Sequence, residues 1–347
     1  MRVTIEMIAR EAEVSAPTVS RALNNDRLVH PATRARVLAI ATKIGYQRSG
    51  RRKKDRSDAK APSITFLISH LSHYPINHGL LSLIHGITAE ADATTCQLFI
   101  EHLNESSRGK LHLRTHRPRS LLPDTTDIVV IQGKHDPHDV DTLARLRPVV
   151  SLQWEYAGTQ VDLVESFNAR GIADIVRMLV DKGHRRLCWI QDRYAASFFH
   201  DRLAGFYRGC IETGLKTDGM PVVPISELLA SDTTFLNILG ALRKDGVTVL
   251  VCANDGLAHE IATMCQKHGV RIPQDISLTG YDADPQLTPE GLELCSYHPN
   301  FVDLGRAALR VCLQRLSESA SKPIIQSMEG HIREGQTVAT LPAPETS

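Results

Sequence analysis

The spacing of apolar residues along the chain changes near residue 61. Before that point, apolar positions recur every three or four residues in three short runs, which predicts three amphipathic helices. From residue 62 onward, short β-branched runs alternate with amphipathic stretches of helical period, a pattern that is typical of parallel sheets built from βαβ units. The sequence therefore predicts a small all-α head of three helices followed by a larger α/β domain.

The predicted helices of the head have recognisable starting points. Thr4 and Ser15 precede the first and second helices, and both are residue types that cap helices. The second helix is predicted over residues 16 to about 23, with Pro17 in its first turn, and the third over 31 to about 44. The inward positions predicted for this small core are Ile5, Ile8, Ala9, Ala12, Val19, Leu23, Val37, Ile40, Ala41, Ile44 and Tyr46.

The outer face of the second predicted helix carries small and hydrogen-bonding side chains. They are Ala16, Pro17, Ser20, Arg21 and Asn24. In a helix-turn-helix unit, such positions near the start of the second helix read base edges in the major groove. Arg21 can pair with guanine through two hydrogen bonds, whereas Ala16 and Pro17 offer only apolar contacts, for example to thymine methyl groups. The alternative is a helical hairpin that contacts another protein.

The net charge of +1 conceals an uneven distribution along the chain. Residues 1–56 hold 13 Lys and Arg against 5 Asp and Glu, whereas the remaining residues hold 27 against 34. A polyanion-binding surface is therefore expected in the N-terminal segment, and double-stranded DNA is the natural polyanion for a helix-turn-helix head.

The larger domain is predicted to contain at least seven strands, more than one small open sheet needs. The strands are predicted at 64–68, 96–100, 128–131, 149–152, 186–190, 247–252 and 276–281, and helices at about 79–93, 169–182, 201–213, 234–244 and 256–268. Ligands of such sheets bind beyond the carboxyl ends of the strands. Two lobes, each with a Rossmann-like parallel sheet, and a cleft between them account for both features.

Several other classes of protein are disfavoured by the sequence. No run of 18 apolar residues occurs and the N-terminus lacks an apolar signal core, so we expect a cytoplasmic protein without a membrane partner. The seven cysteines are scattered among apolar neighbours and are interpreted as buried thiols. We expect neither an enzyme nor a cofactor, since the chain has no P-loop, no Gly-x-Ser-x-Gly and no His-Glu-x-x-His motif.

The head contains the residues Val3-Thr4-Ile5, Ile8-Ala9, Val14-Ser15 and Thr18-Val19-Ser20-Arg21-Ala22-Leu23-Asn24, followed by Gly45-Tyr46. This pattern resembles the DNA-binding domain of the LacI/GalR repressor family. The resemblance implies that Ala16, Pro17 and Arg21 choose the operator sequence, and that Thr18, Ser20 and Asn24 contact phosphates. The complete set of predicted DNA-contacting residues is Thr4, Ser15, Ala16, Pro17, Thr18, Ser20, Arg21, Asn24, Arg51, Arg52, Lys53 and Lys54.

The head departs from the family pattern at two positions. The family usually has glycine where Glu13 stands, so a positive φ there would cost this chain about 1 kcal/mol. Asp55 occupies the position of a leucine that the family wedges into the minor groove, and a carboxylate cannot intercalate. We therefore expect the basic run that precedes it, 51–54, to bind phosphates instead. A basic linker that is merely solvated is the alternative.

The resemblance extends over nearly the whole chain. Matching stretches are Asn168-Ala-Arg-Gly171, Lys182-Gly-His-Arg-Arg186, Asp201-Arg-Leu-Ala-Gly-Phe206, Ala253-Asn-Asp255, Val270-Arg-Ile-Pro-Gln-Asp-Ile-Ser277, Gly280-Tyr-Asp282, Leu304-Gly-Arg-Ala307 and Arg333-Glu-Gly-Gln-Thr337. They imply a periplasmic-binding-protein-like domain with two lobes and three crossovers, near 156–161, 297–301 and 324–328. The expected domains are a head (1–48), a basic hinge (49–61) and an effector-binding and dimerisation domain (62–347). Its first lobe would comprise about 62–157 and 299–325, and its second lobe about 158–298 and 326–340.

By the same resemblance, Arg202, Asn254 and Asp282 are the polar effector contacts. Each also has a structural interpretation: Arg202 as a salt-bridge partner at a helix start, Asn254 as a helix cap and Asp282 as a turn residue. Trp154 can stack on a ligand or pack in the core. The predicted pocket also includes Phe198, Phe301 and His73, and Tyr281 and His298 are further candidates. A metal at His70, His73 and His78 is disfavoured because their spacing fits no common site.

These features together predict a transcription regulator, most simply a repressor. It would bind a pseudo-palindromic operator as a homodimer that associates through the first lobe, and a small metabolite, a carbohydrate or related compound, would bind between the lobes. Two alternatives stay open. One is a regulator of this type whose pocket is degenerate and binds no effector, and the other is a solute-binding receptor, which the basic head disfavours.

Overall fold

The computed structural model describes residues 4–23, 29–43, 61–69, 77–122, 125–194, 196–318 and 322–342. Contacts between residues divide the chain into two units, residues 1–60 and 61–347.

The described residues of the first unit form three helices: α1 (Ile5–Glu11), α2 (Ala16–Leu23) and α3 (Pro31–Lys43). The three predicted helices are thus confirmed. Their shared core consists of Ile8, Ala9, Ala12, Val19, Ala22, Val29, Val37 and Ala41, with Ile40 partly buried against it. Six of these eight core residues are among the predicted inward positions. Ile44 and Tyr46 lie outside the described residues, as do the side chains of Ile5 and Leu23.

The turns of this unit show how its helices begin. Ser15 Oγ accepts a hydrogen bond from the backbone N–H of Thr18 at 3.3 Å, which is the capping contact expected at the start of α2. Thr4 stands at the N-cap of α1, but its side chain accepts no capping hydrogen bond. A hydrogen bond with the Thr4 side chain lowers the pKa of Glu6 instead. Glu13 has a φ of 50°, so the turn does require the positive φ at which a cost is expected for a residue other than glycine.

Two six-stranded sheets are formed by the residues of the second unit that the structure describes. Its strands are β1 (Ser63–Ser69), β2 (Gln97–His102), β3 (Ile128–Gly133), β4 (Val149–Leu152), β5 (Asp162–Ser166), β6 (Leu187–Gln191), β7 (Val222–Pro224), β8 (Val249–Cys252), β9 (Ser277–Tyr281), β10 (Cys295–His298), β11 (Ile325–Met328) and β12 (His331–Arg333). The first sheet has the order β11-β5-β4-β3-β1-β2 and the second β12-β10-β9-β8-β6-β7. All neighbouring strands are parallel except β10 and β12. The predicted two-lobed α/β architecture is confirmed.

In the described part of this unit, eight α-helices connect the strands: α4 (His78–Ala93), α5 (Pro137–Leu146), α6 (Asn168–Asp181), α7 (Ser197–Glu212), α8 (Ile225–Leu228), α9 (Asp232–Lys244), α10 (Asp255–Lys267) and α11 (Phe301–Ser317). Helices α4 and α11 approach closely in the first lobe, because a side chain on Gly86 would collide with the carbonyl oxygen of Val302. The buried strands of each sheet supply the middle layer of the lobe's core.

The lobe boundaries differ from those predicted. The predicted boundary places β5 in the second lobe, yet this strand pairs with β4 and β11 in the first sheet. The prediction is wrong here because β5 is short and carries Asp162 and Glu165, so its apolar pattern is weak. The chain crosses to the second lobe only at Phe167, and the last crossing follows Met328, since β11 also belongs to the first sheet. Strands β7, β10, β11 and β12 are likewise absent from the predicted set.

No helix in the described part of the chain is long and apolar enough to cross a membrane. All seven cysteines are free thiols. Six are buried and Cys96 is half-buried, so the interpretation as buried thiols needs correction only at Cys96.

Candidate functional site

Two adjoining cavities lie between the lobes of the second unit. The aromatic cavity is lined from the first lobe by Leu80, Leu83 and Trp154, from the second by Phe198 and Phe199, and at a crossover by Phe301. The polar cavity is lined by Asn77, Asp192, Asn254, Asp255, His259, Glu260 and Asp284, among others. Asp282 lines both cavities, so it marks the point where they meet.

Arg202, in α7, is a buried residue that contacts several others at the bottom of the cleft. Its side chain is only 3% exposed. Its Nε donates to Asn168 Oδ1 at 3.0 Å, Nη1 to the carbonyl oxygen of Ala253 at 2.7 Å, and Nη2 to Asp282 Oδ1 at 3.3 Å. The guanidinium carbon also lies 3.6 Å from the centre of the Tyr281 ring, a cation–π contact. The arginine therefore stabilises the residues around it and also forms part of the cavity wall.

Asp282 is held in an unusual state. Its φ is 120°, a conformation that favours glycine, and burial raises the pKa of its carboxyl group to about 6, although Arg202 acts in the opposite direction. Its second oxygen, Oδ2, accepts no hydrogen bond from the described residues. It is thus the predicted effector contact that keeps an acceptor available to a ligand.

Asn254 caps helix α10. Its Oδ1 accepts a hydrogen bond from the backbone N–H of Leu257 at 2.9 Å, and its Nδ2 donates to Asp192 Oδ2 at 2.7 Å. The helix-cap interpretation is therefore correct for the amide oxygen. Asn254 lines the polar cavity, so it faces the cleft in addition to stabilising the start of the helix.

Aromatic side chains join the two lobes across the cleft. Trp154, which follows β4, meets Phe198 of α7 edge to face, with ring centres 5.4 Å apart. Phe301 is 8% exposed and packs over Gly79, where a side chain would lie 2.8 Å from its ring. Both lobes thus contribute aromatic surface to one cavity.

Two further candidates lie away from the cavity walls. Tyr281 is fully buried beneath Arg202, and its hydroxyl donates to Ser166 Oγ at 3.0 Å. His298 stacks on His331 at a crossover, with ring centres 4.9 Å apart. Neither lines either cavity, so the structure places both as supporting residues.

The structure adds first-lobe residues that sequence reasoning missed. Asn77, Gln132, Lys134 and Gln153 all line the aromatic cavity. Gln132 Oε1 is buried without a hydrogen-bond partner among the described residues, which leaves an acceptor for a ligand donor. Gln132 lies at the carboxyl end of a predicted strand, so the rule that ligands bind there was the available signal.

Asp255, beneath the polar cavity, was also missed as a candidate. It is 1% exposed and accepts hydrogen bonds from Ser296 Oγ and from the backbone N–H of Asp284, both at 2.6 Å. Burial, followed by the nearby charge of Asp282, raises its pKa to about 7. The polar cavity is therefore lined by three carboxyl groups whose pKa values burial raises, those of Asp192, Asp255 and Asp282.

The predicted DNA-contacting residues are only partly described. Pro17 and Arg21 are exposed on α2, Ala16 and Thr18 are half-buried there, and Ser20 lies in the same helix. Thr4 and Ser15 stand at the starts of α1 and α2. The predictions for Asn24, for the basic run 51–54 with Asp55, and for His70 and His73 lie outside the described residues. Within those residues, no group of three His, Cys, Asp or Glu is placed to hold a metal ion.

Two family models match the chain. Residues 4–49 match the model for bacterial regulatory proteins of the lacI family, and residues 176–338 match that of the periplasmic binding protein-like domain. Together they cover more than half of the chain and account for both units.

Known proteins similar to the chain match it over nearly its full length. The HTH-type transcriptional repressor PurR of Photobacterium profundum is 26% identical, over 91% of this chain and 92% of that protein. A transcriptional regulator CelR–cellobiose complex has a TM-score of 0.66 at 20% identity, covering 97% of this chain and 100% of that one.

A lac repressor dimer bound to operator and an anti-inducer has a TM-score of 0.63 at 20% identity, covering 98% of this chain and 100% of that one. These likenesses to solved structures show a shared fold. Together with the two family matches and the motifs of the head, they lead to one assignment. The chain belongs to the LacI family of bacterial transcription regulators.

Proposed function

We propose that this regulator is a repressor that binds a pseudo-palindromic operator as a homodimer, and that a small polyhydroxylated metabolite bound between its lobes controls its affinity for DNA. The observation that carries the proposal is the coincidence of the lacI-family match at residues 4–49 with a three-helix unit whose second helix exposes Arg21. A helix presented in this way enters the major groove.

The cleft supports a small-molecule effector. Asp282 and Gln132 offer free acceptors from opposite lobes, and Trp154 and Phe198 offer aromatic surface on which a sugar ring can stack. A ligand that donates to both acceptors would bind the closed arrangement of the lobes more tightly than an open one. That difference in affinity is what allows a ligand to shift the protein between conformations. The similar structure with bound cellobiose supports a carbohydrate-like effector.

The first lobe supports dimerisation. Leu81 on α4 is 56% exposed, and Ile100 on the edge strand β2 is 43% exposed. These two side chains offer apolar surface that a second copy of the chain would cover. A symmetric dimer would place two copies of α2 on the two half-sites of an operator, and the similar lac repressor structure is a dimer bound to its operator.

A second candidate function is regulation without an effector. It is favoured by the state of Arg202 and Asn254, because the protein's own groups already engage both side chains. The two candidates are separated by melting-temperature shifts over a panel of sugars and nucleosides. The effector-controlled regulator predicts a shift of several degrees with one class of ligand, which vanishes in Gln132→Leu while the unliganded melting temperature is kept. A complete absence of shifts would favour the effector-independent regulator.

The assignment of α2 as the recognition helix is tested by Arg21→Ala. Genome-wide recovery of bound DNA first supplies the operator sequence. The substitution should then reduce preference for this operator over a sequence with the contacted guanine replaced, by about 1–3 kcal/mol, measured as a ratio of dissociation constants. Arg10→Ala, an exposed arginine of α1, is the control and should keep the preference. An unchanged preference in Arg21→Ala would show that another element reads the bases.

A further inference from the structure

An exposed segment of the first lobe carries positive charge that the proposed function does not use. Between β2 and β3, residues 106–122 hold five Lys or Arg and two His residues, and no Asp or Glu. We call this stretch the basic segment. Lys110, His112, Arg114 and Arg119 are exposed on it. The rest of the second unit is acidic overall, so this concentration of charge is local.

The segment is fixed to the lobe by its backbone. Asp139, which is fully buried, accepts hydrogen bonds from the backbone N–H groups of Gly109 at 2.6 Å and Leu111 at 2.8 Å. Arg117 Nε donates to the carbonyl oxygen of Leu111 at 2.6 Å, and the Leu111 side chain is buried in the core of the lobe. The backbone that carries the exposed basic side chains is therefore fixed by hydrogen bonds, which reduces the entropy lost when these side chains bind a partner.

Three of the exposed cations in the segment have no counter-charge among the described residues. Elsewhere on the second unit, exposed arginines meet carboxylates, as Arg310 does with Glu90 at 2.8 Å and Arg271 with Asp275 at 2.9 Å. Lys110, Arg114 and Arg119 take part in no ion pair with the described residues. Holding several like charges together without counter-charges costs free energy, which an external anion would recover.

We propose that the basic segment is a second, sequence-independent DNA-binding surface that contacts backbone phosphates outside the bases read by the head. This inference rests on the proposed function, because the head supplies the initial attachment to DNA. Once the head is bound, the second unit of the same chain is held near the same duplex, so that weak phosphate contacts act at a high effective concentration. A duplex presents one phosphate charge about every 1.7 Å and suits a surface with several exposed cations.

The test compares two triple variants of the full chain that change the net charge equally. One is Lys110→Ser, Arg114→Ser and Arg119→Ser. The control is Lys216→Ser, Lys244→Ser and Lys322→Ser, three exposed lysines outside the segment that take part in no ion pair with the described residues. Binding to a random-sequence duplex longer than the operator is measured over a series of KCl concentrations, and melting temperatures verify that both variants fold.

Each phosphate contact contributes about 0.9 to the slope of log K against log salt, so the first variant should show a slope shallower by about 2 to 3. The control should keep the slope of the unaltered chain, and operator preference should survive in both variants. Equal slopes for the two triple variants would overturn the proposal and leave the operator function intact. Failure of the unaltered chain to bind any duplex would overturn both the proposal and the proposed function.

Discussion

Replacing Arg202 by methionine is expected to lower the free energy of unfolding of the second unit by about 3–5 kcal/mol. The substitution removes the arginine that pairs with Asp282, and it leaves Asn168 Oδ1 and the carbonyl oxygen of Ala253 without the hydrogen bonds that the guanidinium donates. A buried pair that loses one member leaves the other charge uncompensated, which costs more than the pair itself contributed.

Two further variants identify the cause of this loss. Arg202→Lys keeps the charge but cannot reproduce three donors in a planar fork, so it should recover only part of the stability. Arg170→Met removes a comparable arginine from an exposed pair with Glu329, whose side chains are 53% and 66% exposed, and should cost less than about 1 kcal/mol. Urea unfolding followed by circular dichroism measures all three.

The loss should also depend on pH. Arg202 lowers the pKa of Asp282, which burial raises to about 6, so its removal should raise that pKa further. Below pH 6 the carboxyl group is increasingly neutral in both proteins and needs a cation less. The deficit of Arg202→Met should therefore be smaller at pH 5 than at pH 8. A deficit that is the same at both pH values would mean that packing, and not the charge of Asp282, is the cause.

Asp255→Asn is expected to have a higher free energy of unfolding relative to the unaltered chain at pH 8 than at pH 5. The gain between these two pH values should be on the order of 3 kcal/mol. The pKa of Asp255 is raised to about 7 in the folded state, mainly by burial. In the unfolded chain it titrates at about 4. The neutral acid therefore contributes stability that is fully present below about pH 4 and is lost as pH rises through 7.

Asparagine has nearly the same shape and does not ionise, so the variant escapes this loss. Its amide oxygen can still accept from the backbone N–H of Asp284, the contact that Asp255 makes at 2.6 Å. The difference in free energy of unfolding between variant and unaltered chain should rise between pH 5 and 7 and level off above. Taking the difference cancels the opposite contribution of buried histidines such as His135, whose pKa is lowered to about 4 by burial.

The control for this prediction is Asp218→Asn, an exposed aspartate for which a flat difference is expected. If the Asp255→Asn difference were also flat between pH 5 and 8, the carboxyl group would have to be ionised across the whole range. Asp255, which lines the polar cavity, would then carry a negative charge over this range and would favour a cationic ligand over a neutral one.

Local features were predictable from the sequence alone. The helices of the head follow from apolar residues three and four positions apart and from a capping residue such as Ser15, and both signals act within one or two turns. The positive φ of Glu13 followed from the residue type that the family places in that turn. Most of the strands of the second unit that the sequence predicts are apolar and buried, such as β1 and β8, although the edge strand β2 is more exposed.

The sequence predicted which residues lie at the candidate site better than it predicted what each of them contacts. Motifs placed Arg202 and Asp282 at the cleft, and both line it. The sequence does not show that Arg202 donates to three acceptors or that Gln132 has an unpaired oxygen. Both facts depend on which distant parts of the chain lie near these side chains.

The sequence by itself determined the family, the three-helix head and the alternation of strands and helices, since each depends on residues close together in the chain. Only the tertiary structure decided that β5 and β11 belong to the first lobe, because each is a weak strand on its own and is stabilised by pairing with the other. It also decided which polar groups at the cleft remain free, because hydrogen bonds between side chains follow proximity in space and not position in the sequence.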